Sequence, residues 1–227
     1  MFKMKKYFLL LFCFISGFTF SQEYHFDYKC YDSETQLKGS YKGDNRTNLI
    51  YFNSKNPDIM AYDYFFLQPP RRSFLLYDYK LGVLNSYSID LDSNLSSLNH
   101  VQHYPIKTYS DEIEIKKVDV EKISENKFLI KAFKTFQSKQ SNLELEILVE
   151  KTSYSMPKIR FMDLTLNIHS KIYTALLSQL DSENYRIVDV ITNYKNGVIM
   201  HDDLSKCEKI NLKFLMEPNS TTNKSNK

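Results

Sequence analysis

Apolar and polar residues alternate along much of this chain. Tyr24, Phe26, Tyr28 and Cys30 alternate with His25, Asp27 and Lys29. Leu143, Leu145, Ile147 and Val149 alternate with Glu144, Glu146 and Glu150, and Ile210, Leu212, Phe214 and Met216 with Asn211, Lys213 and Leu215. A period of two sends successive side chains to opposite faces, so each run predicts a strand with one face buried and one wet, the habit of antiparallel sheets. Further strands are predicted over residues 37–42, 47–53, 59–67, 73–79, 83–91, 96–103, 111–122, 127–136, 185–193 and 198–200. Turn chemistry separates them: Asn56-Pro57-Asp58, Pro69-Pro70, Lys80-Leu81-Gly82, Asp92-Ser93-Asn94, Ser124-Glu125-Asn126 and the hairpin signal Lys195-Asn196-Gly197. In 111–122, Ile113 and Ile115 fall on one phase and Val118 and Val120 on the other, which predicts a bulge or bend near Lys116-Lys117.

One segment carries a different period. Leu164, Ile168, Ile172, Leu176 and Leu180 recur every four residues, widened by Tyr173 and Leu177. That is the apolar stripe of an amphipathic helix, predicted over 163–180 with Asp163 as its N-cap. Together these elements predict a mainly β (α+β) domain. Its core is one large curved antiparallel sheet or half-open barrel of about ten strands, packed around the single helix that must bury its stripe. A two-sheet sandwich is the alternative, and it gives the helix no role.

The ends of the chain change this picture. Met1 to Lys6 carry three lysines and no acid, Tyr7 to Ile15 are almost wholly apolar, and Thr19-Phe20-Ser21 supplies small residues before Gln22. This is the layout of a secretory signal peptide, too short and interrupted for a spanning helix. Lipidation at Cys13 is disfavoured by Phe12 before it. The expected organisation is a signal peptide over 1–21, one β-rich domain over 22–216 and a disordered tail over 217–227, poor in apolar residues. Removing 1–21 lowers Lys+Arg from 30 to 27, equal to the 27 Asp+Glu. A near-neutral mature chain offers no basic field for nucleic acid or an anionic membrane surface, and no membrane span after cleavage. The expected location is periplasmic or secreted.

Two cysteines, Cys30 and Cys207, follow the leader. An even pair in an exported chain invites a disulfide, and two buried thiols are the other reading. Strict alternation puts Cys207 off the apolar face of the last strand. It therefore reaches Cys30 only from a turn or a bulge.

Candidate chemistry is sparse. His100 and His103 are a metal candidate only if they share a face, which a regular strand forbids, and no neighbouring Cys or carboxylate completes a set. His201-Asp202-Asp203 sets a base beside two carboxylates in what reads as loop chemistry. Arg71-Arg72 after a diproline suits a phosphate or carboxylate, or simply solvent. Asp63 and Asp78 interrupt aromatic strands and call for a wet face or an arginine partner. His25 and Asp27 share a strand face that is expected to be wet. The chain holds no G-x-S-x-G, P-loop, G-x-G-x-x-G, H-E-x-x-H or C-x-x-C. No catalytic residue, metal site or cofactor is therefore expected.

The leader ending Phe20-Ser21-Gln22, the first strand Tyr24 to Cys30, and the closing pattern of Tyr194 to Gly197, Asp203-Leu204 and Ile210 to Phe214 resemble small secreted proteins of Bacteroidota. Some of those are similar to the lipoprotein-carrier fold, a half-open antiparallel barrel with a helix in its mouth. The resemblance implies that layout. The Gly-Leu-Pro-Gly-Leu-Ile string of one such family is missing, with Ser155 to Ile159 as its distant echo, so no functional residue carries over.

The expected function is an exported, non-enzymatic binding or carrier protein, holding an apolar small molecule, a lipid or an exported partner between sheet and helix. The alternatives are an envelope-interaction protein without a cavity and a hydrolase centred on one of the histidines.

Overall fold

The structure, a computed structural model, describes residues 22–67, 70–89, 95, 99–105, 114–154, 166–182 and 184–216. The predicted leader and tail lie outside them. Twelve strands build one open antiparallel sheet: β1 (Gln22–Lys38), β2 (Asn45–Asn53), β3 (Asn56–Leu67), β4 (Pro70–Asp78), β5 (Val83–Ile89), β6 (Asn99–Pro105), β7 (Lys117–Lys122), β8 (Lys127–Phe133), β9 (Leu143–Lys151), β10 (Tyr185–Asn193), β11 (Ile199–Asp203) and β12 (Cys207–Met216). The spatial order is β6-β5-β4-β3-β2-β1-β11-β10-β9-β8-β7, with β12 also pairing β1. Among the described residues one helix, α1 (Leu166–Leu177), interrupts the series. By its contacts the chain divides into two compact units, Phe26–Asn211 and the terminal segments, of which residues 22–25 and 212–216 are described. In the smaller unit Lys213 pairs with Glu23 at 2.9 Å.

In the larger unit one face of the sheet, called inner here, carries a continuous apolar core. Cys30, Ile50, Phe52, Met60, Tyr62 and Tyr77 from the first half join Phe128, Ile130, Leu145, Ile147 and Val190 from the second. The helix adds its predicted stripe, with Ile168, Ile172 and Leu176 all buried. It packs on β7 and β8. Lys171 donates to the Ile115 carbonyl at 2.5 Å, which ties the helix to the chain entering β7. Burial of four-spaced aliphatics on a strand pair is what fixes so short a helix, since twelve residues are marginal alone.

The opposite face of β1 to β5 is buried as well. Phe26, Tyr51, Phe74 and Tyr87 form an aromatic ladder across it, with centroids 6.1, 5.9 and 6.2 Å apart. Burial on both faces explains why β2 to β4 read as nearly continuous apolar runs.

The hairpin between β10 and β11 follows its sequence signal. Lys195 (φ 56°) and Gly197 (φ 98°) take the left-handed conformations such a turn needs. Asn193 and Asn196 side chains accept from Lys195 N at 3.0 Å and Val198 N at 3.1 Å. Lys195 then reaches Glu144 on β9 at 2.6 Å, while Ser141 donates to the other Glu144 oxygen at 2.6 Å. The lysine first, and then the hydroxyl, hold the Glu144 carboxyl below the ordinary value of 4.5. A depressed carboxylate stabilises above its unfolded pKa, and the effect disappears as pH falls through the folded value. Both side chains are partly exposed, so the gain is small. Glu144→Gln should cost under about 1 kcal/mol at pH 7 and less as pH falls into the acid range, by urea denaturation across pH.

Candidate functional site

The sequence reading ends the first strand at Cys30 and places another at 37–42. In the structure β1 continues unbroken to Lys38, and Gly39 to Gly43 form the turn into β2. The alternation continues too, with a change of chemistry. After Tyr28 and Cys30, the inward positions are Asp32, Glu34 and Gln36, all buried. A buried polar run looks like a loop in sequence, and this is what concealed the second half of the strand.

Neighbouring strands complete the group. Glu34 lies opposite Asp202 of β11 on one side and Arg46 of β2 on the other. Asp32 lies opposite Asn48. Carboxylate oxygens of Asp32, Glu34 and Asp202 lie within 4.8 Å of one another. An Arg46 guanidinium nitrogen pairs with one Glu34 oxygen. Apolar side chains bound the group: Val190, opposite Asp202 on β10, and Leu204 are both buried. Asn48 is 1% exposed, and neither its Oδ1 nor its Nδ2 has a hydrogen-bond partner among the described residues. Of these residues the sequence reading named only Asp202, and it expected no metal ligands. The signal it passed over is that Asp32, Glu34 and Gln36 keep the phase of Tyr28 and Cys30.

Farther along the same face the surface becomes aromatic. Tyr28 stacks on Phe52 at 5.2 Å and meets Tyr154 at 4.5 Å. Tyr62 stacks on Tyr64 at 5.7 Å and Tyr77 on Tyr79 at 5.8 Å. Phe52, Tyr62 and Tyr77 are buried, whereas Tyr28, Tyr64, Tyr79 and Tyr154 are half-buried and edge the core.

The other predicted residues are dispersed. Cys30 and Cys207 form a disulfide, with Cα atoms 4.0 Å apart. Cys207 sits at the start of β12, where Lys206 O accepts from Tyr31 N at 2.9 Å and β12 takes over from β11 along β1. Arg186 fastens this junction, donating to Leu204 O at 3.1 Å, Ser205 O at 2.8 Å and the Cys207 sulfur at 3.0 Å.

His201 is on a strand rather than in a loop, and its Nε2 lies 2.6 Å from the Asp189 carboxylate on the face opposite the acid group. Asp203 shares that face, its carboxyl lowered chiefly by hydrogen bonds from Ser205. Asp202, between them, points to the inner face, so the triplet does not act as one unit. His103 Nδ1 meets Asn85 Oδ1 at 2.7 Å. A register shift in β5–β6 pairs His103 with Asn85 and His100 with Tyr87.

Arg71 and Arg72 fall at successive positions of β4 and cannot clamp one anion. Arg72 donates to Asp63 from two of its three guanidinium nitrogens, at 2.8 and 2.6 Å, and Arg71 is exposed. The Asp78 carboxylate accepts from Leu81 N at 2.9 Å and shapes the β4–β5 turn. Asp27 accepts from Ser54 N at 2.7 Å and Ser54 Oγ at 2.5 Å, and His25 is exposed. His169, which the sequence reading did not single out, is buried on α1 and stacks on Tyr173 at 6.0 Å. Compared with known proteins, the chain matches no family model and no curated protein.

Proposed function

We propose that this chain is an exported, non-enzymatic binding protein that holds an apolar ligand against the inner face of its curved sheet, beside the helix. The ligand class is an acyl chain or the apolar segment of another exported protein. The observation that carries this reading is the row of half-buried tyrosines, Tyr28, Tyr64, Tyr79 and Tyr154, each stacked or tilted against a buried aromatic ring. Such rings offer flat apolar area at low entropy cost. Export is supported by the leader-like N-terminus and by the Cys30–Cys207 bridge, since disulfides persist in oxidising compartments.

A second reading, an envelope protein that docks without a cavity, draws on the packing under the helix. There Ile172, Leu176, Phe128 and Ile130 are all fully buried. Hydrolysis at His201 has less support. The His201 and Asp189 side chains are 31% and 36% exposed on an open sheet face. Thr35, the hydroxyl across the ladder from His201, donates to Asn45 instead.

Thermal unfolding of lipid-stripped protein with long-chain fatty acids and with lipopeptides separates the first two readings. A ligand at a hundred times its Kd adds about 2.7 kcal/mol, so a carrier should gain several degrees in Tm. Tyr28→Ser/Tyr154→Ser should lose that gain relative to its own baseline. The same Tm with every lipid tested would favour the docking protein.

A further inference from the structure

We propose that Asp32, Glu34, Asp202 and Asn48 form a divalent cation site, with calcium as the preferred ion, on the inner face where β1 meets β2 and β11. Three observations carry it. The first is the carboxylate spacing: ligand oxygens from all three acids lie within 4.8 Å of one another. Like charges that close, two of them on side chains only 3% exposed, repel strongly unless protons or a cation intervene. The second is charge. Within the group itself three carboxylates face one guanidinium, that of Arg46 on Glu34, and a divalent ion would offset this imbalance.

The third observation is Asn48, at the position facing Asp32 across the β1–β2 ladder. Side chains at opposed positions start with Cβ atoms roughly 4.5–5.5 Å apart, so the amide stands beside the acids. It is 1% exposed and neither polar atom has a partner among the described residues. An amide left unpaired in a core costs about 1–3 kcal/mol, whereas a neutral oxygen beside three carboxylates is an ordinary ligand for a hard cation.

The donor set chooses the ion. All four donors are oxygens, which suits calcium, magnesium or manganese rather than zinc or copper. Calcium takes oxygens at ~2.3–2.6 Å, so donors on opposite sides of it are ~5 Å apart, whereas magnesium at ~2.0–2.1 Å wants them near 4 Å. Oxygens that all lie within 4.8 Å of one another fit inside the span calcium allows. The site is independent of the apolar ligand, and neither proposal falls with the other.

The test is calorimetric titration of the EDTA-treated full chain with calcium chloride at pH 7.5, alongside thermal unfolding. One ion per chain is expected, with Tm rising by roughly 5–10 °C at a hundredfold excess over Kd. Asp32→Asn/Asp202→Asn keeps the shapes and removes two charges. It should bind calcium at least 100-fold more weakly while its metal-free Tm is unchanged or higher. Asn48→Leu should weaken calcium binding at least 10-fold. A wild-type chain indifferent to 10 mM calcium, whose Tm instead rises as pH falls toward 5, would mean shared protons and overturn the site. Undiminished binding in the double variant would overturn it too, and a larger Tm shift with magnesium would overturn the choice of ion.

Discussion

Reduction of the Cys30–Cys207 disulfide should be the most damaging single change to this protein. The bridge joins residues 177 positions apart in sequence and closes nearly the whole sheet. In the chain-entropy model a loop of that length removes about 5 kcal/mol of denatured-state freedom, an upper figure for real bridges. Domains are commonly stable by only ~5–15 kcal/mol, so the loss is a large share of the total. The effect is concentrated at a sensitive place. The sulfurs sit where β1 changes partner from β11 to β12, and Arg186 binds the Cys207 sulfur and two carbonyls of the connecting turn. Cys30→Ala/Cys207→Ala should lower the denaturation midpoint in urea strongly with little change of inner-face packing, since Cys30 is a small buried residue. The double variant and the dithiothreitol-treated wild type should coincide. If the untreated protein already coincides with them, or alkylates at both cysteines, the bridge contributes nothing in solution.

How much of this was visible in the sequence depends on what each strand buries. The three cleanest alternations, 24–30, 143–149 and 210–216, all lie in strands, although Phe26 packs on Tyr51, away from the core that holds Tyr28 and Cys30, and of the four-residue stripe Ile168, Ile172 and Leu176 lie in the helix. Two boundaries moved for local reasons. The turn expected at Asn56-Pro57-Asp58 closes earlier, because the Asn53 side chain accepts from both Lys55 N (2.9 Å) and Asn56 N (3.1 Å), and β3 starts at Asn56. The described part of 111–122 is strand only from Lys117, with Ile115 buried just before it. That entry to the strand resolves the clash of phases between Ile115 and Val118.

The acid group was hidden for a deeper reason. Period-two reasoning assumes that the inward face is apolar, and β1 keeps the period while exchanging apolar for ionisable residues at Asp32. The partners are also remote in the chain. Glu34 meets Asp202 only because β11 returns to lie on β1, a pairing that local pattern does not encode. Buried charge that breaks a pattern without breaking its phase is the sign to look for when a strand seems to stop early.

Arg72→Met should be the next most costly change, by about 3–5 kcal/mol, because it removes the guanidinium from a carboxylate that cannot reach water. Asp63 is 4% exposed on the aromatic face between Leu49 and Phe74. Its two oxygens accept from Arg72 Nε at 2.8 Å and from the terminal NH2 nitrogen at 2.6 Å, a fork that a lysine could not reproduce. Asp63 in turn raises the Arg72 pKa, chiefly through that hydrogen bond. Tyr51, nearby, is pushed up to about 12, first by burial and then by the Asp63 charge. The pair's absolute value to folding is much less than the cost of breaking it, since both charges have left water. Asp63→Leu/Arg72→Met should therefore recover most of the loss, and urea denaturation of the two single variants and the double separates these quantities. A double variant as unstable as the sum of the singles would show that the ion pair is not what holds this part of the sheet. Recovery to within about 1 kcal/mol of wild type would show that its charges are satisfied rather than stabilising.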